Sequence, residues 1–530
     1  MFKSDCRPLG ASEIPQKEYP IFPITRKLLG ESAWYRVVGE PHDRLRPETV
    51  PQLLAKDTAP SHPAWLPALA QLELADHLAS LTSIPPADTL DSLRLNPSLQ
   101  LITVAWKNLL PVLTVPHPQD LTHIEPGEET ILVWCEPGSG RLCREKALPG
   151  HLLAIKMVIE GITPEAAAQS GDVTIATIDR LLLDGIRTGI LLTPVSRIKR
   201  KIDRTAADVF SLQWHLTQTC DLTCKHCYDR SHRADFPFDR ALSLLQELRD
   251  FCRHRFAQPQ ISFTGGNPLF HPHFFELYQL AADHGILTAI LGNATDRSTL
   301  ERMLAIQRPV YYQVSLEGLE PHNDAIRGAG NFRRTVAFLS LLTELGIPNL
   351  VMLTLTQHNM DQVLPLAKEL EGITGALTFN RLALFGEGAR LAAPSRDDYQ
   401  AFLHTYLAAL ATHPVLALKD SLLNSILEQQ GAPLFGGCTG FGCGAAFNFL
   451  AILSDGEVHA CRKFPSPLGS ILEQPLETIY HSDKAARYRD GSSACSDCRL
   501  RPVCGGCMAA TASAGNDPFT CRDPYCTRPA

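Results

Sequence analysis

TCDLTCKHCYDR, residues 219–230, sets Cys220, Cys224 and Cys227 within one short loop. Three thiolates at CxxxCxxC spacing can face a single metal centre. A structural zinc site asks for four protein ligands. His226 is available as a fourth, but it stands directly beside Cys227, where its side chain naturally points away. Cysteine-ligated iron–sulfur clusters use loops of this kind, and three thiolates leave one iron open to a small molecule. From spacing alone, zinc stays open as the alternative.

The flanking segments place this loop in a fold. From about residue 210 to 390, strand-like runs alternate with helix-like ones. The strands are FSLQWHLT, QISFTGG, LTAILGN, VYYQVSLE, LVMLTLT and ALTFNRLAL. Between them FDRALSLLQELRDFCRH, HPHFFELYQLAADHG, DRSTLERMLAIQ, FRRTVAFLSLLTELG and NMDQVLPLAKELEG read as helices. Such alternation predicts βα units around a parallel sheet, an α/β fold of open or closed barrel type. The three-cysteine loop follows the first strand, and in barrels of this sort reactive groups gather after the strand C-termini.

Composition narrows the class. The 530 residues suffice for two to four domains. Hydrophobic residues make up 45% and charged residues 20%, an ordinary globular balance. A formal charge of -7 argues against general nucleic-acid binding. The N-terminus lacks an apolar signal core, and no run of residues is apolar and long enough for a transmembrane helix. These features predict a cytoplasmic protein with neither nucleic acid nor membrane as partner. Of 16 cysteines, Cys6, Cys135, Cys143 and Cys252 are scattered and read as small apolar residues. The others are clustered, and in a reducing compartment clustered thiols hold metal more often than they form disulfides.

Four further fragments follow the cysteine loop in order. TGGNP carries Gly265, Gly266 and Asn267; QVSLEG carries Ser315; HNDAIRGAGNF carries Arg327; and FNRLALFGEG closes the series. Together with CxxxCxxC and the aromatic Tyr228, they resemble the radical S-adenosylmethionine (SAM) enzymes over residues 210–390. That resemblance implies a [4Fe-4S] cluster on Cys220, Cys224 and Cys227, with its open iron chelating SAM. An electron then cleaves SAM to a 5'-deoxyadenosyl radical that abstracts hydrogen from substrate. It implies SAM contacts by Tyr228, by the backbone of Gly265, Gly266 and Asn267, and by Ser315 and Arg327. Asn267 stands where the family usually has Glu, which puts that side-chain contact in doubt. No acid or base is singled out.

The tail holds Cys438, Cys443, Cys461, Cys495, Cys498, Cys504, Cys507, Cys521 and Cys526. This pattern resembles the SPASM extension, the auxiliary-cluster domain of radical SAM enzymes acting on peptides and proteins. Cys504 and Cys507 are two residues apart where the family commonly has three. The resemblance implies two auxiliary [4Fe-4S] clusters, one on Cys438, Cys443, Cys461 and Cys507. The other takes Cys495, Cys498 and Cys504 with Cys526 or Cys521, and the DPYC context favours Cys526. Zinc on the CxxC pairs is the alternative. The tail has too little apolar core to fold without such centres.

Upstream, PAWLPALAQLELADHLASL reads as a helix, and residues 1–129 carry no chemical motif. Residues 130–195 read as a hairpin around Glu136–Gly140, three helices and a short strand. Thr163 caps a helix that begins at Pro164. This winged-helix pattern resembles the peptide-recognition element fused to peptide maturases. RIKRKIDR lies in a charged linker, 196–209. The organisation predicted is therefore a winged-helix-like domain, a partial (βα)6 radical SAM barrel over 210–430 and an irregular SPASM domain over 431–530. The resemblance implies a maturase that binds the leader of a ribosomal precursor peptide at about 130–195. It would install a thioether or carbon–carbon cross-link, drawing electrons from a flavodoxin or ferredoxin. The alternatives are a formylglycine-forming sulfatase maturase and a non-catalytic iron–sulfur binding protein.

Overall fold

The computed structural model describes residues 21–39, 46–57, 62–114, 123–195, 197–199 and 205–528. Cys6 and residues 196 and 200–204 of the charged linker lie outside the described residues. The chain forms two compact units, Met1–Thr163 with Asp184–Val195, and Pro164–Leu183 with Ser196–Ala530.

In the smaller unit, α1 (Pro23–Leu29), α2 (Glu31–Val38), α3 (Val50–Lys56) and α4 (Leu66–Leu81) precede β1 (Arg94–Leu95) and β2 (Gln100–Lys107). β3 (Glu125–Cys135), β4 (Leu142–Lys146) and α5 (Pro149–Glu160) follow. The expected hairpin is β3 with β4, and it gains β2 on its far side to make a sheet ordered β2-β3-β4. α4 is apolar nearly all round because it serves two cores. Leu66 and Leu69 pack with Trp34 and Leu54, while Leu72, Ala75 and Ala79 pack with Val104, Ile131 and Val133. Gly161 closes α5 in the left-handed conformation, as a helix C-terminus favours. α6 (Pro164–Gly171) and α7 (Ile175–Thr188) come next, and the division between the units runs through α7. The short β5 (Leu191–Leu192) then pairs antiparallel with β1.

The larger unit contains β6 (Val209–Thr217), α8 (Phe238–His254), β7 (Gln258–Gly265), α9 (Phe274–Asp283), β8 (Leu287–Leu291) and α10 (Arg297–Ile306). It continues with β9 (Tyr312–Ser315), α11 (Glu320–Arg327), α12 (Asn331–Glu344), β10 (Asn349–Leu355), α13 (Val363–Glu369) and β11 (Ala376–Arg381). β6 to β11 are hydrogen-bonded in chain order and all parallel. Both faces of such strands are covered, so their sequences run nearly continuously apolar. α8 buries Leu244, Leu245, Leu248 and Phe251 at helical spacing. Each large side chain buried in this way contributes about 1.5–3 kcal/mol.

α14 (Arg396–Ala409) and α15 (Leu423–Gln429) lead into the tail. There the structure goes beyond an irregular segment. β12 (Phe449–Ile452) joins the sheet parallel to β6, and β13 (Glu457–His459) and β14 (Pro467–Ser470) extend it antiparallel. The result is a nine-stranded sheet ordered β11-β10-β9-β8-β7-β6-β12-β13-β14. α16 (Leu476–His481), α17 (Asp483–Asp490) and α18 (Met508–Ser513) complete the unit. Among the described residues no helix is long and apolar enough to cross a membrane.

Candidate active site and cysteine cavities

The C-terminal ends of β6 to β11 converge on a cavity of about 410 Å³. Cys220, Cys224, Cys227 and Tyr228 line it from the loop after β6, Gly265 and Gly266 from the end of β7, Ser315 from β9 and Arg327 from α11. Asn267, 1% exposed, is not among the lining residues. Its amide donates toward Asp221 at 3.4 Å and its carbonyl accepts the Leu269 N–H.

Two glycines let the β7 loop lie flat against the cysteine loop. A Cβ on Gly265 would stand 2.3 Å from the Thr217 carbonyl oxygen, and one on Gly266 2.3 Å from that of Thr219. The closeness serves hydrogen bonds, from Gly266 N–H to Thr217 at 2.8 Å and from Asn267 N–H to Thr219 at 2.8 Å. On the opposite side Glu387 N–H donates to the Cys227 carbonyl at 2.9 Å, and Lys225 N–H to the Ile326 carbonyl at 3.0 Å. The cysteine loop is thus pinned by backbone from three elements.

Tyr228 Oη meets Nε2 of His215 at 2.5 Å. Burial holds His215 down to about 3 and His226 to about 4, so both imidazoles are neutral at physiological pH. Polar groups also face the thiols. Asn293 Nδ2 lies 3.4 Å from the Cys220 sulfur and Arg327 Nη1 3.7 Å from that of Cys224. Arg462 and Lys463, which follow Cys461, line the same cavity. Sequence reading missed Asn293, Glu317, Arg381, Arg462 and Lys463, because nothing local in the sequence marks them. The pairing of β12 to β6 helps bring the tail to this wall.

The tail cysteines gather around two further cavities. Cys438, Cys443, Cys461 and Cys507 line one of about 70 Å³. Cys495, Cys498, Cys504 and Cys526 line another of about 370 Å³. Cys521 lines neither. Gly505 and Gly506, both at positive φ, turn the chain between Cys504 and Cys507, so neighbouring thiols serve different cavities. Burial pushes the Cys461 thiol up to about 12, and that of Cys504 well above its ordinary value. Such thiols become thiolates when a bound cation displaces the proton. Among the described residues no three His, Cys, Asp or Glu side chains stand close enough for a single metal ion. The cysteine sets line cavities. Asn380, Arg381 and Lys463 line both the first cavity and the 70 Å³ one, so these two share a wall.

Comparison with known proteins matches this geometry. Residues 214–370 match the radical SAM superfamily and residues 443–508 the SPASM iron–sulfur cluster-binding domain. The mycofactocin maturase MftC of Mycolicibacterium smegmatis is 30% identical over 353 residues, 63% of this chain and 86% of that protein. The chain belongs to the radical SAM/SPASM family of enzymes that includes the peptide maturases. An AdoMet-dependent heme synthase of Methanosarcina barkeri is 27% identical over 348 residues, covering 59% of this chain and 95% of its own. The crystal structure of SuiB from Streptococcus suis shares the fold with TM-score 0.51 at 18% identity, over 75% of this chain and 96% of that one. SAM and iron–sulfur clusters are the cofactors of this enzyme class.

Proposed function

We propose that the protein binds the leader of a ribosomal precursor peptide through residues 130–195 and cross-links its core, through a thioether or a carbon–carbon bond. The reading takes Cys220, Cys224 and Cys227 as ligands of the SAM-binding cluster. It takes the four cysteines around each tail cavity as ligands of an auxiliary cluster. When bound, SAM and its cluster supply the hydrogen-abstracting radical. The chain's own residues then have three tasks. Gly265 and Gly266 would give backbone approach to SAM, Ser315 and Arg327 would contact its ribose and carboxylate, and Asn380, Arg381 and Lys463 would form the wall between SAM and an auxiliary cluster able to accept the electron released at bond formation.

The observation that carries the peptide substrate is on the smaller unit. β4 is the edge of its sheet, where an extended chain can add as a strand. Directly after it, Leu148 at the N-cap of α5 and Leu152 and Ile159 within the helix are 52%, 39% and 67% exposed. An edge strand beside these exposed apolar residues suits a leader with spaced hydrophobic anchors. SuiB, whose fold this chain shares, has been crystallised with its precursor peptide SuiA. An electron donor such as a flavodoxin or ferredoxin, and a reducing cytoplasm, fit the free thiols and the redox chemistry. The similarity to heme synthases supports a second reading, a porphyrin-type substrate.

The test is anaerobic co-expression with small peptides encoded beside the gene, read by mass spectrometry. A product lighter by two hydrogen atoms is the expected result. Leu152→Asp with Ile159→Asp should weaken leader binding about tenfold or more while SAM cleavage without peptide stays intact. Leader binding unchanged in that double variant would move the leader site away from α5, while absence of both leader binding and a modified peptide in the wild type would remove the peptide reading and favour the other.

A further inference from the structure

Glu317, between β9 and α11, is held on every side. It is 2% exposed. Its N–H donates to Asn323 Oδ1 at 3.1 Å, and its carbonyl accepts from Asn359 Nδ2 at 3.1 Å. One carboxylate oxygen accepts the Thr354 N–H of β10 at 2.8 Å. The other accepts both Nε and Nη2 of Arg327, at 2.9 and 2.7 Å. With Nε and Nη2 so occupied, Nη1 is the nitrogen left, and it stands 3.7 Å from the Cys224 sulfur with a second N–H to spare. Nη2 also meets His226 Nε2 at 3.3 Å. Arginine only donates, so that imidazole nitrogen accepts.

A buried ion pair is weak evidence for stability, since an apolar pair of similar volume often serves a fold as well. A purely structural tie between α11 and β10 has no need of a cation aimed at a thiolate. Arg327 lines the cavity where three thiols gather, and hydrogen bonds and charge at the sulfurs set the potential of an iron–sulfur centre.

We propose that Glu317 is a positioning residue that aims Arg327 at Cys224, and that the pair thereby raises the reduction potential of the cluster bound at Cys220, Cys224 and Cys227. A cation donating to the thiolate stabilises the more negative, reduced state. The inference rests on the radical SAM assignment and is independent of the peptide substrate.

The experiment is an EPR-monitored redox titration of the reconstituted full chain without SAM. The wild-type signal that added SAM perturbs marks the site. The double variant Glu317→Gln, Arg327→Gln leaves net charge unchanged and removes the ion pair together with its cation aimed at the sulfur. Its reduced-to-oxidised ratio at fixed potential should fall about tenfold, a downward midpoint shift of about 59 mV for a one-electron couple. The auxiliary signals should keep their midpoints and certify the fold. Arg327→Lys retains the charge on a flexible stem without the fork held by Glu317, and it should shift the midpoint less. If the double variant fails to load its cluster, this single variant decides. A wild-type midpoint in whichever variant loads overturns the proposal, while SAM-perturbed signals would still uphold the enzyme class.

Discussion

Gly266 has no room for a methyl group. An added Cβ would press on the carbonyl oxygens of both Gln218 and Thr219, at 2.7 and 2.3 Å, in the loop that carries Cys220. Backbone cannot yield there as a flexible side chain would. Gly266→Ala should therefore cut SAM affinity at least tenfold and distort the cluster signal, both measurable by equilibrium dialysis and EPR, with tail iron retained. A second residue-scale prediction separates two neighbouring thiols. Cys526→Ser should lower iron by about four atoms per chain, one four-iron cluster. Cys521→Ser should leave the iron count at its wild-type value. These residues differ in how legible they were. CxxxCxxC and the GG turn announce themselves because the ligand geometry is local in sequence. Glu317 and Arg381 do not, since their partners come from distant strands and from the tail.

Elements were read as far as their own periodicity carried. The parallel strands and the long helices between them have unbroken apolar runs and clear spacing, and α8 begins and ends where its pattern does. α11 escaped because its run, EPHNDAIR, is polar and follows a loop motif. β12 is four apolar residues among cysteines, and its partner β6 lies more than 200 residues earlier, so no local signal could pair them. In the smaller unit a single carboxylate binds two elements. Glu73 of α4, 3% exposed, accepts the N–H groups of Ile24 and Thr25 in the first turn of α1, at 2.7 and 3.0 Å. Burial raises its pKa above the ordinary 4.5. The folded state therefore binds this proton more tightly than the unfolded one. Its share of stability is complete below 4.5 and is lost as pH rises through the elevated folded value. Thermal melts across that window should show this decline, and Glu73→Gln should flatten it. Glu73→Ala orphans two backbone donors and should cost about 1–3 kcal/mol.

At the scale of the larger unit, one buried arginine ties barrel to tail. Arg381 ends β11 and pairs with Asp420 and Asp523, both at 2.8 Å, with the rings of Tyr399 and Tyr525 each 5.5 Å away. Asp523 in turn accepts the Cys507 N–H at 2.7 Å and lines the 370 Å³ cavity. Arg381→Met leaves two carboxylates buried without their cation, which should cost about 3–5 kcal/mol. Anaerobic denaturant titration of the cluster-loaded protein measures the loss. The tail signals should weaken with it, since Asp523 steadies a ligand of one cavity and the wall of the other.

The seating of β12 against β6 bears on how the chain can be handled. Ending the chain before β12 would strip the strand that leads into the cysteine loop of its neighbour. The bared N–H and C=O groups would be a template for other copies. Such a shortened form should aggregate instead of behaving as a minimal SAM enzyme. Loss of iron alone should spare this seam, because Leu450 and Ile452 of β12 are fully buried in the same apolar core as Phe210 and Leu212 of β6, a larger core than the tail's own sequence promised.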